Sequence, residues 1–223
     1  YQVGEGGGAA DASVIGEADA LWLDRDDKAK LQAALAKYEE AYAADPTNRH
    51  VTVRLTRGYY FMGDAHESEV EAKGAHWQTS IEWGKKCVAI NDEFTALLEK
   101  GDEDERSAID KAATKDDVPC LYWTATSLGK WAKTKGLSTL IKHKDTVKKY
   151  IETVERLDPE YYHGAADRYW GAYYSALPSF AGRDFDTSKA KFEKSLSVAP
   201  NSLSTKVLLA SYWAVGTQNP AEF

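Results

Sequence analysis

The sequence predicts an all-α fold in which helical hairpins stack on one another in irregular repeats. Alternating β-branched residues, the pattern of half-buried strands, are scarce, whereas Ala, Leu, Lys and Glu dominate the 223 residues. Most segments repeat apolar residues every three or four positions, which is the spacing of one helix face. Three helix ends, moreover, share one spacing of small, large and proline residues.

Length, charge and composition limit the classes of protein to which the chain can belong. A chain of 223 residues holds one sizeable core or two small ones. Its formal net charge of −7 argues against nucleic acid as a partner, because such binders need a concentrated basic face. No apolar run approaches the roughly 18 residues of a membrane span. The 7 Trp and 13 Tyr outnumber the 6 Phe, and rings with polar tips suit partly wet surfaces.

We predict three segments: a flexible N-terminal tether over residues 1–17, a single helical-repeat domain over 18–216, and a C-terminal tail over 217–223. The Gly-rich start is typical of a tether behind a removed signal or lipid anchor, and equally of a cloning linker. Apolar spacing predicts helix from Ala18 to Ala44, with a helix entrance near Lys28, where three aspartates precede it.

Polar turns divide the rest of the first half. Asp45-Pro46-Thr47-Asn48 is expected to break one helix and cap the next, which carries an apolar stripe from Val51 to Met62. A long helix follows over Glu69–Ile90. The charged stretch Asn91–Asp110 is predicted to be a solvated loop with a short surface helix.

The most hydrophobic stretch near the middle begins at Asp116-Asp117-Val118-Pro119, a strong helix start, and runs to Thr134. One arc of this helix is small and apolar, and we expect it to pack in the repeat. The opposite arc places Trp123 beside Ser127 and Lys130. Trp123 is therefore expected to contact either a neighbouring helix or, across a cavity, the aromatic half of the Tyr162–Tyr174 helix.

Helices are also predicted over Ser138–Leu157, over Pro159–Ala176 with Asp158 as N-cap, over Thr187–Val198 and over Leu203–Val215. The first of these carries a lysine cluster with His143, interpreted as a solvated face rather than as a site for an acidic partner or lipid headgroups.

Two cysteines, Cys87 and Cys120, lie among apolar neighbours within predicted helices. We expect two buried thiols, and a disulfide is the alternative in an oxidising compartment.

The shared spacing at helix ends indicates tetratricopeptide-like repeats. Positions at intervals of 4, 3 and 5 residues hold small, large, small and proline residues in three places. These ends conclude at Pro46, Pro159 and Pro200. Because the prolines are unevenly spaced, insertions separate the copies. The expected fold is a stack of hairpins, each burying its face on its neighbours.

Two longer phrases resemble a known family. They are DVPCLYWTATSLGKWA (Asp117–Ala132) and LDPEYYHGAADRYWG (Leu157–Gly171), and ALWLDRDD (Ala20–Asp27) with YEEAYAADP (Tyr38–Pro46) fits the same pattern. They are similar to segments of the TatT family, the T components of TRAP transporters, over about residues 18–215. One class within this family, the bacterial sterol transporter components, handles sterol lipids.

The resemblance implies a periplasmic lipoprotein, anchored to the outer membrane through an N-terminal lipid that is not part of the printed sequence. It implies a hydrophobic ligand, a lipid or sterol, which passes to or from a periplasmic binding protein or transporter subunit. Self-association is implied as well. The alternative function is a helical-repeat scaffold that docks a substrate-binding subunit of a TRAP-type transporter.

Candidate ligand-binding residues are aromatic or carry polar tips, as in pockets that are mostly hydrophobic. They are Tyr59, Trp77, Tyr122, Trp123, Trp131, Tyr162, His163, Arg168, Tyr169, Trp170 and Tyr173. Ordinary repeat packing is the competing interpretation of these rings. No catalytic motif is present, and no cofactor or metal is predicted; His66 and His76 with the glutamates between them are only a weak metal candidate.

Overall fold

The structure of the chain is a computed structural model, and it describes residues 9–101 and 103–218. These parts contain helices and no strand, which confirms the predicted all-α fold. None of the described helices combines the length and apolar character needed to cross a membrane. The helices are α1 (Ala9–Leu23), α2 (Lys28–Ala44), α3 (Arg49–Ala65), α4 (Val70–Val88), α5 (Asp92–Glu99), α6 (Glu105–Ala112), α7 (Val118–Thr134), α8 (Leu137–Leu157), α9 (Tyr161–Ala176), α10 (Phe185–Val198) and α11 (Leu203–Leu208).

Neighbouring helices pack in hairpin-like pairs. Helix α1 packs on α2, α2 on α3 and α3 on α4, while α4 also packs along α7, and α9 pairs with α10. The residues after α11 continue as a π-helical turn, Leu209–Ala214, and a last turn, Val215–Thr217. The predicted final helix is therefore interrupted rather than regular.

The chain forms two compact units that divide between Tyr150 and Ile151, within α8. The core of the first unit includes Leu31, Tyr38 and Leu55, and all three are fully buried. In the second unit, Phe192 and Trp213 form an apolar cluster with Ala214. The predicted domain boundaries stay a prediction. Helix α1 begins at Ala9, within the segment that we predicted to be a tether, and residues 1–8 and 219–223 lie outside the described residues.

Polar caps set several helix starts as the sequence predicted. The Asp27 carboxylate accepts the backbone N–H groups of Ala29 and Lys30 at 2.8 and 3.1 Å. Asn48 accepts the N–H of Val51 at 3.2 Å. Pro119 lies in the first turn of α7. These side chains satisfy amide donors that a helix start leaves without an intrahelical partner.

The prediction for the charged stretch after Ile90, a loop with one short surface helix, was only partly right, because the stretch contains two capped helices, α5 and α6. Asn91 caps the first by accepting the N–H of Phe94, and Asp104 caps the second. Phe94 and Ile109 are buried on their inner faces. The stretch has many charged residues and only a few apolar residues at helical spacing, so its sequence pattern did not indicate both helices.

The start of α9 also differs from the prediction. Tyr162, His163 and Gly164 have positive φ angles of 45°, 64° and 66°, so regular α geometry begins only after Gly164. The N-cap position is held by Glu160 rather than by the predicted Asp158. Left-handed backbone is costly for residues other than glycine. Tyr162 and His163 therefore do not occupy the positions that a regular helix over Tyr162–Tyr174 would give them.

Of the two alternatives left open for the cysteines, the structure contains the disulfide. Cys87 in α4 and Cys120 in α7 form a disulfide, with 5.6 Å between their Cα atoms. Both residues are fully buried. Tertiary packing of α4 on α7 brings the two sulfurs together, and sequence spacing alone does not report that packing.

Candidate functional site

Helix α7 is buried on nearly its whole circumference, and α4 covers one side of it. Gly84 of α4 lies directly against Thr124 of α7: a Cβ atom at Gly84 would be 1.9 Å from Thr124 Oγ1. Close to this crossing, the buried Ser80 and Ser127 hydroxyls hydrogen-bond at 2.7 Å. Small residues and the Cys87–Cys120 disulfide therefore hold these two helices at close range.

The other side of α7 packs on α3, and Trp123 takes part in this contact. Trp123 is 3% exposed, and its ring lies 5.2 Å from Tyr60 and 6.1 Å from Phe61, measured between ring centroids. The Arg57 guanidinium lies 5.0 Å from the same ring. Lys130 pairs with Asp64 of α3. Trp123 is thus part of a helix contact, as in repeat packing.

Three arginine side chains lie against the ring of Trp22 of α1. The guanidinium carbons of Arg25, Arg54 and Arg57 lie 5.5, 4.7 and 5.4 Å from its ring centroid. Such cation–π contacts are worth roughly 0.5–1 kcal/mol at exposed sites and more when desolvated. This cluster ties α1 to α3, and Trp22 itself is 3% exposed.

Four helices of the first unit, α4, α6, α7 and α8, line an open cleft of about 440 Å³. Its buried wall contains Ile81, Leu128 and Tyr150. The half-buried ring of Trp131 lies there too, and the His143 ring is 5.7 Å from it in an edge-on arrangement. The remaining lining residues are Gln78, Glu82, Lys85, Glu105, Thr124, Lys142 and Thr146.

Charged groups of the cleft lie at its wall and rim. Lys85 and Lys142 are exposed, and burial together with these two cations lowers the pKa of His143 below its usual range. The Tyr150 hydroxyl donates a hydrogen bond to Glu105. Burial and that carboxylate raise the pKa of Tyr150. The cleft therefore offers an apolar wall beneath a rim that carries the Lys85 and Lys142 cations, the exposed Glu82 carboxylate and a histidine with a lowered pKa.

One buried polar atom of a cleft-lining residue has no hydrogen-bond partner among the described residues. The indole Nε1 of Trp131 is buried and makes no hydrogen bond with the described residues. Buried donors are usually satisfied, and leaving one without a partner costs about 1–3 kcal/mol.

In the second unit, the left-handed turn at the start of α9 is held by Arg168. This arginine is 4% exposed, and its guanidinium donates to the carbonyl oxygens of Tyr162 and His163 at 3.3–3.4 Å. Ser195 of α10 donates to the His163 carbonyl as well. The turn exposes carbonyl groups that a regular helix would use, and these two side chains satisfy them.

Farther along α9, Tyr169, Trp170, Tyr173 and Tyr174 form a row of rings. Tyr169 stacks on Tyr173 with 6.2 Å between centroids, and Trp170 meets Tyr173 edge-on at 5.5 Å. Trp170 is buried, whereas the three tyrosines are half-buried. Burial raises the pKa of Tyr169. The row gives the second unit a partly exposed aromatic surface of its own.

The eleven predicted ligand-binding residues thus divide among several places. Of these residues, all of which the structure describes, only Trp131 lines the cleft. Trp123 lies at the α3–α7 contact, and the ring of its chain neighbour Tyr122 is 5.0 Å from it. Two other predicted residues make separate contacts: Tyr59 donates to Glu39, and Trp77 is buried beside Gly63. The second unit holds the rest, namely Tyr162, His163, Arg168, Tyr169, Trp170 and Tyr173.

Sequence reasoning missed most of the cleft. Ile81, Leu128 and Tyr150 are ordinary core residues by pattern, and only their meeting around a gap distinguishes them. Lys142 and His143 belong to the basic cluster that we had interpreted as a solvated face. The sequence feature that could have pointed to the cleft was the pair of basic residues, Lys142 and His143, on the helix that follows Trp131.

The weak metal candidate is used otherwise. His66 Nε2 lies 2.9 Å from the backbone oxygen of Arg25, and His76 Nε2 lies 3.2 Å from Glu67. Glu67 also pairs with Lys28 at 2.8 Å. In the described parts of the chain, no group of three or more His, Cys, Asp or Glu side chains is arranged to hold a metal ion.

The fold and these features define a class of protein: an all-α chain of packed helical hairpins with aromatic side chains at its helix contacts and an open cleft in its first unit. Comparison with known families then identifies the group. The sequence profile of the TRAP transporter T-component family, TAtT, matches residues 80–223, which is more than half of the chain. The chain belongs to this family, and the resemblance predicted from its motifs is confirmed. No curated protein matches the chain.

Family membership assigns the chain a role in a TRAP-type transport system and implies interaction with other subunits of that system. The family consists of transporter components and is not an enzyme family. The match does not separate the sterol-handling class from the other members.

Proposed function

We propose that the chain is a periplasmic component of a TRAP-type transport system that binds an apolar ligand, a lipid or sterol, in the cleft of the first unit and passes it to or from partner proteins. The observation that carries this proposal is the cleft itself. Its volume of about 440 Å³ lies within the range of small-molecule sites. The apolar wall of Ile81, Leu128 and Tyr150 suits a hydrophobic body.

The polar groups of the cleft favour a ligand with one polar end. Lys85 and Lys142 line the cleft and are exposed at its rim. A hydroxyl, carbonyl or carboxylate oxygen on an otherwise apolar molecule would pair with one of these donors. A few well-placed polar groups fix the orientation of a ligand in an otherwise hydrophobic site.

The disulfide supports the proposed compartment. Disulfides such as Cys87–Cys120 persist in oxidising environments, and the bacterial periplasm is one of these. Anchoring through an N-terminal lipid stays a prediction.

Ligand binding is tested by extracting the purified protein with organic solvent, identifying released lipid by mass spectrometry, and titrating fluorescent sterol and fatty-acid probes. Thr146→Trp places a large ring in the cleft, whereas Thr79→Trp makes the same change at a half-buried threonine of α4 outside the cleft. We expect saturable binding in the unmodified chain and in Thr79→Trp, and at least about a tenfold loss in Thr146→Trp. Absence of saturable binding, or equal binding by both variants, would overturn the proposal.

A second candidate function is a scaffold that docks the substrate-binding subunit. Family membership favours it, because a transporter component meets other subunits. The half-buried tyrosines of α9 supply an aromatic surface of the kind enriched at interfaces. Tyr173→Ala or Trp123→Ala would then lower partner binding together with stability, while Thr146→Trp would leave partner capture intact.

Light scattering tests the separate prediction of self-association.

A further inference from the structure

The turn between α7 and α8 exposes apolar side chains that no other part of the described chain covers. Leu137, Leu140 and Ile141 are 71%, 38% and 61% exposed. At 100° per residue these positions fall within an arc of roughly 100° on α8, so they form one small apolar face. Gly136, with φ +97°, ends α7 in left-handed geometry and lets the chain turn sharply into this face.

Positive charge surrounds this face. Lys133, Lys135, Lys142 and Lys144 flank it, and residues 130–144 contain no Asp or Glu in a chain whose net charge is −7. Among the described residues, no carboxylate lies within ion-pair distance of these four lysines, whereas Lys130 is paired with Asp64. We call residues 133–144 the basic tip.

We propose that the basic tip binds the surface of a bilayer that contains anionic phospholipid, with Leu137 and Ile141 in the apolar boundary and the lysines at the headgroups. Reversible binding to a membrane surface combines burial of an apolar face with attraction between a basic cluster and anionic headgroups. The basic tip has both features, each of moderate strength. The inference is independent of the ligand proposed for the cleft.

Charge favours this occupant over a second copy of the chain. A symmetric contact between two basic tips would set four lysines against their counterparts, and like charges at an interface are repulsive. A bilayer supplies both complements at once, because its anionic headgroups lie directly above its hydrocarbon. The lysine side chains also have apolar stems that accommodate the interface while their charged ends remain in water.

The test is co-sedimentation of the whole chain with phosphatidylcholine vesicles and with vesicles that also contain phosphatidylglycerol. We expect binding to the anionic vesicles, weakened by salt, with on the order of fivefold contributed by each lysine. Lys135→Glu/Lys144→Glu and Leu137→Ser/Ile141→Ser are each expected to reduce partitioning by at least about tenfold. All four substitutions lie outside the cleft lining.

The matched control is Leu203→Ser/Lys206→Glu, which removes an exposed leucine and an exposed lysine from α11. It should partition within about twofold of the unmodified chain. Hydrogen exchange on the unmodified chain provides a second measurement, because amides of residues 133–144 should exchange more slowly when anionic vesicles are present.

Three outcomes would overturn the proposal. The first is no binding, or equal binding to both kinds of vesicle. In the second, the control loses as much binding as the tip variants. In the third, Leu137→Ser/Ile141→Ser dissociates an oligomer in light scattering while the chain never sediments with vesicles; the face would then be a contact between copies of the chain.

Discussion

The contact of Gly84 with Thr124 makes a quantitative prediction about the packing of α4 on α7. In Gly84→Ala, the new Cβ would lie 1.9 Å from Thr124 Oγ1 and 2.9 Å from Thr124 Cβ. Rotating the threonine does not solve the problem, because Cγ2 is only 3.1 Å away and Oγ1 donates to the Cys120 carbonyl at 2.6 Å. The helices must therefore separate, and the nearby disulfide opposes that movement.

Overpacking of this kind lowers the free energy of unfolding by about 1–3 kcal/mol, and the better helix propensity of alanine raises it by up to about 1 kcal/mol. We expect Gly84→Ala to lower the free energy of unfolding by about 1–2 kcal/mol net, which for a chain of this size corresponds to a fall of roughly 2–8 °C in Tm. Gly129→Ala is the control, since a Cβ there would meet no atom within 4 Å. It should raise stability by up to about 1 kcal/mol.

Thermal and urea unfolding followed by circular dichroism measure both variants. Thr124→Ala removes Oγ1 and Cγ2, so in that background the cost of Gly84→Ala should shrink by at least about 0.5 kcal/mol. Equal stability changes for Gly84→Ala and Gly129→Ala, or no coupling to Thr124, would refute the account of this helix contact.

Three further predictions concern single features. Cys87→Ala/Cys120→Ala should lower the free energy of unfolding by about 2–4 kcal/mol in urea titrations, and the native chain should show no thiol reactive with Ellman's reagent. Burial opposes ionisation of Glu155, but hydrogen bonds from Lys191 and Lys194 outweigh it and lower its pKa. The ionised carboxylate therefore stabilises the fold above the usual carboxyl pKa, and this part of the free energy of unfolding should be lost as pH falls through the lowered pKa. In Glu155→Gln the free energy of unfolding should depend less on pH over that range. Gly164→Ala should cost about 1–3 kcal/mol in the same titrations, because its φ is +66° and a Cβ would lie 3.0 Å from Ser195 Cα.

Local chemistry made the helix starts predictable, whereas the departures depend on distant partners. Asp27 and Asn48 cap their helices because the capping oxygen and the amides lie within a few residues. The left-handed turn at Tyr162 and His163 has no such local cause. It depends on Arg168 and on Ser195, which comes from another helix.

The candidate site shows the same division between local and distant causes. Trp131 could be predicted, because an aromatic residue on a helix face is visible in the sequence. The cleft beside it forms only where α4, α6, α7 and α8 meet around a gap. The spacing of apolar residues along the sequence gives no information about such a gap. The disulfide also needs α4 on α7, so both features follow from tertiary packing.

The beginning of α8 serves both proposals, and this leads to a last prediction. Lys142 and His143 line the cleft, while Leu137, Ile141 and Lys144 belong to the apolar and basic face of the tip. If both proposals hold, the rim of the cleft lies within two helical turns of the bilayer surface. Ligand loading from vesicles would then need both features, whereas binding of a ligand already in solution would need only the cleft.

Two variants separate these requirements when probe transfer from donor vesicles is followed beside equilibrium binding of the free probe. Leu137→Ser/Ile141→Ser should slow transfer from anionic vesicles by about tenfold, in step with lost partitioning, and leave equilibrium binding unchanged. Thr146→Trp should impair both measurements. If the tip variant transfers probe as fast as the unmodified chain while it no longer binds vesicles, ligand reaches the cleft through solution, and the tip has no part in loading.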